Sequence, residues 1–138
     1  MLEVPRGVVD DIVAHAVDGY PYEACGLLAG RPATGTETDT VERFYRCRNA
    51  AGSARVYTVD PGDHLRAERD AEAHKWEITG VVHSHTHTEA FPSPTDVAQA
   101  PDPAWHYVIV SLRDEASPAL RSYRIVDGEV TEEQVHVV

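Results

Sequence analysis

Residues 76–96 read Trp76-Glu77-Ile78-Thr79-Gly80-Val81-Val82-His83-Ser84-His85-Thr86-His87-Thr88-Glu89-Ala90-Phe91-Pro92-Ser93-Pro94-Thr95-Asp96. The apolar run up to Val82 predicts a buried strand that continues to His85. On a strand, residues i and i+2 point to one face. His83 and His85 therefore present two imidazoles to a single point. The loop containing Pro92 and Pro94 folds back, and Ser93-Pro94-Thr95-Asp96 predicts a helix start, with a hydroxyl cap and an acid in the first turn. A carboxylate at Asp96 completes a His-His-Asp set. Three protein ligands leave a fourth position for water, the pattern of a catalytic rather than a structural zinc site. The expectation is one Zn2+ per chain, held by His83, His85 and Asp96.

Such a site needs a group to take a proton from water and give it to the leaving amine. The candidate is Glu23, in Pro21-Tyr22-Glu23-Ala24-Cys25-Gly26-Leu27-Leu28. It stands immediately before an apolar strand, where a charge is costly without a partner. Taken alone, such an acid is more often a solvated helix-end residue than a catalyst. Ser93 is near Asp96 and available to donate to an oxyanion; it also reads simply as a helix cap. His87 is an extra histidine. If the strand continues it shares the face of His83 and His85 and competes with Asp96 as third ligand, although the chain is expected to turn after His85. His15, His64, His74, His106 and His136 have no partner pattern and read as surface or satisfied core.

The 138 residues fit one domain, 1–138, with 42% hydrophobic and 25% charged residues, an ordinary globular composition. The net charge of −11 argues against nucleic acid or an anionic membrane as the main partner. Cys25 and Cys47 are far apart and in no CxxC pattern, so they read as reduced thiols of a cytoplasmic protein. The N-terminus Met1-Leu2-Glu3-Val4-Pro5 lacks the pattern of a signal peptide, and no apolar run reaches membrane-spanning length.

Working outward, the 3.6-residue period of Val8, Val9, Ile12, Val13, Ala16 and Val17 predicts a helix over 5–20. Strands are expected at 24–29, 41–47, 55–59, 105–112, 119–126 and 129–138, with a turn at 49–52, a loop at 31–40 and a hairpin at Asp127-Gly128. A polar helix is expected from Asp60 to about Trp76, with Leu65, Ala67 and Ala71 as its few apolar positions. The fold class is α/β: a mostly antiparallel or mixed sheet with helices packed on it.

Glu23 before Cys25-Gly26-Leu27-Leu28, then His83-Ser84-His85, seven residues, and Ser93-Pro94-Thr95-Asp96 resemble the signature of the JAMM (MPN+) metalloprotease family. The resemblance covers nearly the whole chain. It implies a curved mixed β-sheet flanked by helices, similar to the cytidine deaminase arrangement, and hydrolysis after the C-terminal glycine of ubiquitin or a ubiquitin-like protein. It implies His83, His85 and Asp96 as zinc ligands, Glu23 as general acid/base and Ser93 as a stabiliser of the tetrahedral intermediate. Within the family, His83–Thr86, Thr88–Ala90, Pro92-Ser93, Thr95–Val97 and the tail Leu120–Gly128 are similar to a small bacterial branch. Its members release cysteine from the C-terminus of a ubiquitin-like sulfur-carrier protein (CysO-like) in cysteine biosynthesis. Thr86 stands where most of the family has proline. Four rivals remain: a zinc deaminase, for which His87-Thr88-Glu89 supplies H-x-E but no PCxxC follows; an isopeptidase acting on another ubiquitin-like modifier; a non-catalytic binding module; and an inert domain that binds metal structurally, for which only His87 could close the fourth position.

Overall fold

The computed structural model describes residues 1–31 and 38–138. In chain order the elements are β1 (Leu2–Val4), α1 (Arg6–Gly19), β2 (Cys25–Gly30), β3 (Asp39–Cys47), α2 (Pro61–Ala73), β4 (Glu77–His85), α3 (Pro94–Ala98), β5 (His106–Ser111), β6 (Ala119–Val126), β7 (Glu129–Glu133) and β8 (Val135–Val137). The strands form one mixed sheet in the order β7-β6-β5-β4-β2-β3-β1-β8. β4 runs parallel to β5 and antiparallel to β2, and β1 is parallel to both β3 and β8. Only Gln134 separates β7 from β8, yet these two strands stand at opposite ends of the order. The sheet must therefore curl until its edges nearly meet. His106 sits at the closure: Nδ1 is 2.6 Å from Glu133 Oε2 and Nε2 is 2.6 Å from Asp39 Oδ2. This is the satisfied core histidine that the sequence allowed.

The central strands are buried on both faces, so β2 and β5 carry almost unbroken apolar runs. On one face Leu28, Val82, Val108 and Val110 pack with Ile12 and Ala16 of α1. On the other, Cys25, Leu27, Val81, Tyr107 and Ile109 pack with Ala67 of α2. Gly80 lets β4 and β5 approach, because a Cβ there would sit 2.5 Å from the His106 carbonyl oxygen. Asp127 and Gly128 have φ of 51° and 79°, the positive values that a tight two-residue hairpin requires.

Several boundaries differ from expectation. Residues 55–59 form no strand; only an isolated bridge joins Asn49 to Val59. The Asn49 amide binds the Val56 carbonyl and the Thr58 N–H, so a side chain takes the place of a ladder. Residues 129–138 make two strands, not one, because β7 pairs with β6 and β8 with β1. β1 is too short to be read without its partners. Val17 and Leu65, expected on apolar faces, are exposed. The loop expected at 31–40 lies largely outside the described residues, and Asp39 and Thr40 already belong to β3.

Candidate active site

β4 delivers His83 and His85 to one face, both buried. Their Nε2 atoms lie 3.2 Å apart, and each lies 3.1 Å from Asp96 Oδ2. Asp96 is aimed by a reciprocal cap at the start of α3. Asp96 N–H donates to Ser93 Oγ at 3.1 Å, and Ser93 N–H donates to Asp96 Oδ2 at 2.8 Å. His85 Nδ1 is 2.8 Å from the Glu89 carbonyl oxygen, which can only accept. That contact places the proton on Nδ1 and leaves the Nε2 lone pair for the cluster.

Three lone-pair atoms thus converge on a near-equilateral triangle. A tetrahedral ion with ligand bonds of about 2.0–2.1 Å sets its ligands roughly 3.3 Å apart, close to the spacing found. The donor set of two imidazoles and a carboxylate is one that zinc accepts. The residues therefore fit the ion.

Glu23 comes to the same place from the residues just before β2, whose Cys25 stands opposite His83. A carboxylate oxygen of Glu23 and one ring nitrogen each of His83 and His85 lie within 4.8 Å of one another. Two carboxylates therefore flank the histidine pair. Asp96 is the nearer, at 3.1 Å from both rings. Glu23 Oε1 is buried without a hydrogen-bond partner. The backbone of Glu23 is fixed by the 49–58 segment: its N–H donates to the Ser53 carbonyl at 2.8 Å, and its carbonyl accepts from Asn49 Nδ2 at 3.0 Å.

The electrostatics follow from this crowding. Burial pushes the Glu23 carboxyl up to about 7; His85 pulls against the rise and Asp96 adds to it. Burial would also raise Asp96, but hydrogen bonds from His83 and His85 outweigh it and hold the carboxyl far below its usual range. His83 is lowered by burial, with Asp96 opposing. For His85, burial works downward, yet Asp96 and the Glu89 carbonyl leave it above its ordinary value.

His87 does not join the cluster. β4 ends at His85, the alternation is lost, and His87 is exposed with Nε2 3.3 Å from Tyr20 Oη and Nδ1 2.9 Å from Thr86 Oγ1. Cys25 and Cys47 are free, buried thiols, pushed up to about 12 by burial first. Sequence reasoning missed Ser84, Asn49 and Tyr57. Tyr57 stacks on His83 with ring centroids 4.3 Å apart. A lone hydroxyl inside a buried strand needs a partner, and that signal was present at Ser84.

A curled mixed sheet that carries two strand histidines, a helix-capping aspartate and an unpaired buried glutamate to one point defines a hydrolase of the JAMM/MPN class. The comparison with known proteins agrees. The family described as prokaryotic homologs of the JAB domain matches residues 5–126, and the chain belongs to it. The chain is 46% identical over 138 residues to the CysO-cysteine peptidase of Mycobacterium tuberculosis, covering 100% of this chain and 92% of that protein. It is 34% identical over 101 residues to the "Probable TtuB-protein conjugate cleaving protease" of Thermus thermophilus, covering 72% of this chain and 64% of that one. A solution structure of a Desulfitobacterium hafniense protein superposes with a TM-score of 0.91 at 34% identity, covering 100% of this chain and 93% of that one. Among the described residues no helix is long and apolar enough to cross a membrane.

Proposed function

We propose that residues 1–138 form one zinc-dependent peptidase domain that hydrolyses the peptide bond after the C-terminal glycine of a ubiquitin-like sulfur-carrier protein and releases cysteine. The observation that carries the reading is the triangle of His83 Nε2, His85 Nε2 and Asp96 Oδ2 with the unpartnered Glu23 carboxyl beside it. The 46% identity to a CysO-cysteine peptidase supports the choice of substrate. A cytoplasmic location goes with that substrate and with two free thiols.

His83, His85 and Asp96 would hold the ion. Zinc, when bound, acts as a Lewis acid that brings the pKa of water to about 7 and polarises the scissile carbonyl. Glu23 then takes the proton of the attacking water and passes it to the leaving amine. Its carboxyl, pushed up to about 7, holds and loses a proton with similar ease near neutrality, which suits a group that must do both. A cation nearby favours the carboxylate and draws this value down. Ser93 Oγ spends a lone pair on the Asp96 N–H, so its hydroxyl proton is free to donate to the oxyanion.

A second reading, an isopeptidase acting on another ubiquitin-like modifier, is favoured by the likeness to the Thermus protein. The two are separated by comparing turnover of a carrier ending in a glycyl-cysteine amide with that of the same carrier linked through glycine to a lysine side chain. Faster hydrolysis of the first supports cysteine release; faster hydrolysis of the second supports the isopeptidase. A non-catalytic module would turn over neither.

A further inference from the structure

The two histidines are not held alike. His85 has the usual support of a ligating imidazole, its Nδ1 facing the Glu89 carbonyl at 2.8 Å. His83 Nδ1 is buried and has no hydrogen-bond partner. The second torsion of a histidine side chain is broad and roughly two-fold, so something else must set the plane of that ring. Tyr57 lies against it, with centroids 4.3 Å apart and planes 18° from parallel.

Tyr57 stands on a loop without regular structure, yet both of its neighbours are tied to one side chain. Asn49 Nδ2 donates to the Val56 carbonyl at 3.1 Å, and Asn49 Oδ1 accepts from Thr58 N–H at 2.9 Å. The same amide donates to the Glu23 carbonyl at 3.0 Å and accepts from Ala51 N–H at 3.0 Å. Two carbonyls and two N–H groups use both donors and both lone pairs of the amide, and they fix which atom is nitrogen. One side chain thus sets the place of Tyr57 and of the Glu23 backbone together.

We propose that Tyr57, held by Asn49, is the positioning residue for His83, its stacked ring doing for His83 what the Glu89 carbonyl does for His85. The proposal rests on the reading of His83 as a zinc ligand. The stack confines the imidazole to planes parallel to the phenol ring. It also covers one face of His83 and keeps water from it. The contact needs a flat ring rather than the hydroxyl, so phenylalanine should serve and leucine should not.

The test is zinc affinity by chelator competition, with the cobalt(II) visible spectrum as a report on ligand geometry, for wild type, Tyr57→Phe and Tyr57→Leu. Removing a group that orients a ligand typically weakens metal binding about 10–100-fold. Tyr57→Leu should show a loss of that size and an altered cobalt spectrum, and Tyr57→Phe should restore both. Wild-type affinity in Tyr57→Leu overturns the proposal alone. A wild-type chain that binds no zinc overturns the proposal and the reading beneath it. If Tyr57→Leu does not fold, Tyr57→Phe decides: wild-type affinity and spectrum support the stack, and a tenfold loss overturns it.

Discussion

Ser84 and Ala24 hold each other by two hydrogen bonds across sixty residues of chain: Ala24 N–H donates to Ser84 Oγ at 2.8 Å, and Ser84 N–H donates to the Ala24 carbonyl at 2.9 Å. Ser84 lies between the two site histidines, and Ala24 follows Glu23 directly. The pair joins the strand that carries the histidines to the stretch that carries Glu23. It lies on the side of β4 opposite the imidazoles, so it positions without touching substrate.

Ser84→Ala leaves the buried Ala24 N–H without its acceptor. The expected loss of stability is about 1–3 kcal/mol, read from chemical denaturation of the zinc-loaded protein. Turnover should fall by more than zinc affinity, because the carboxyl is displaced and the ligands are not. A Ser84→Ala chain as stable and as active as wild type would show that the pair is incidental.

Glu23→Gln keeps the shape of the side chain and removes its ability to move a proton. Zinc content should stay at one per chain, while kcat falls about 10²–10⁴-fold. Metal analysis beside steady-state kinetics checks both. Loss of zinc instead would make Glu23 a ligand and put the role of Asp96 in question.

The site was legible in the sequence where its parts are local. His83 and His85 share a face because a strand has period two, and Asp96 is aimed by a cap written in Ser93-Pro94-Thr95-Asp96. The arrival of Glu23 was not local. It needs β2 beside β4 with Cys25 opposite His83, and strand order is set by the whole sheet. Ser84 and Asn49 were hidden for the same reason, since the partners that give them meaning lie 60 and 26 residues away. Residues 55–59 have the alternation of a strand, but Asn49 captures their backbone groups first. His87 was left open by spacing and resolved by where β4 stops.

The raised Glu23 carboxyl makes a prediction for the metal-free chain. Its folded value is about 7 against an ordinary 4.5, so between those pH values the folded state binds the more protons. Its contribution to stability is therefore present below about 4.5 and is lost as pH rises toward 7. Glu23→Gln has no such loss. Metal-free Glu23→Gln should gain on metal-free wild type across that window, with a ceiling on the order of 3 kcal/mol. Denaturation series at several pH values read the gap, and a gap that does not grow with pH contradicts the burial of the ionised group.

Zinc binding should release protons. His85 lies above its ordinary value in the ion-free chain, chiefly because Asp96 and the Glu89 carbonyl outweigh its burial. A ligating imidazole must give up its second proton. Affinity should therefore rise with pH through the histidine range, and calorimetry in buffers of different ionisation enthalpy should detect the proton. An affinity independent of pH there would argue against His85 as a ligand.

The most direct measurement is the intact mass of a ubiquitin-like sulfur-carrier protein ending in Gly-Gly-Cys after incubation with this protein. Three forms are compared: zinc-loaded, chelated, and reloaded with zinc. The account predicts a carrier shorter by one cysteine with the first and third, an unchanged carrier with the second, and no further trimming past the glycine. A carrier left intact by fully zinc-loaded protein, or shortened equally by the chelated form, would contradict it.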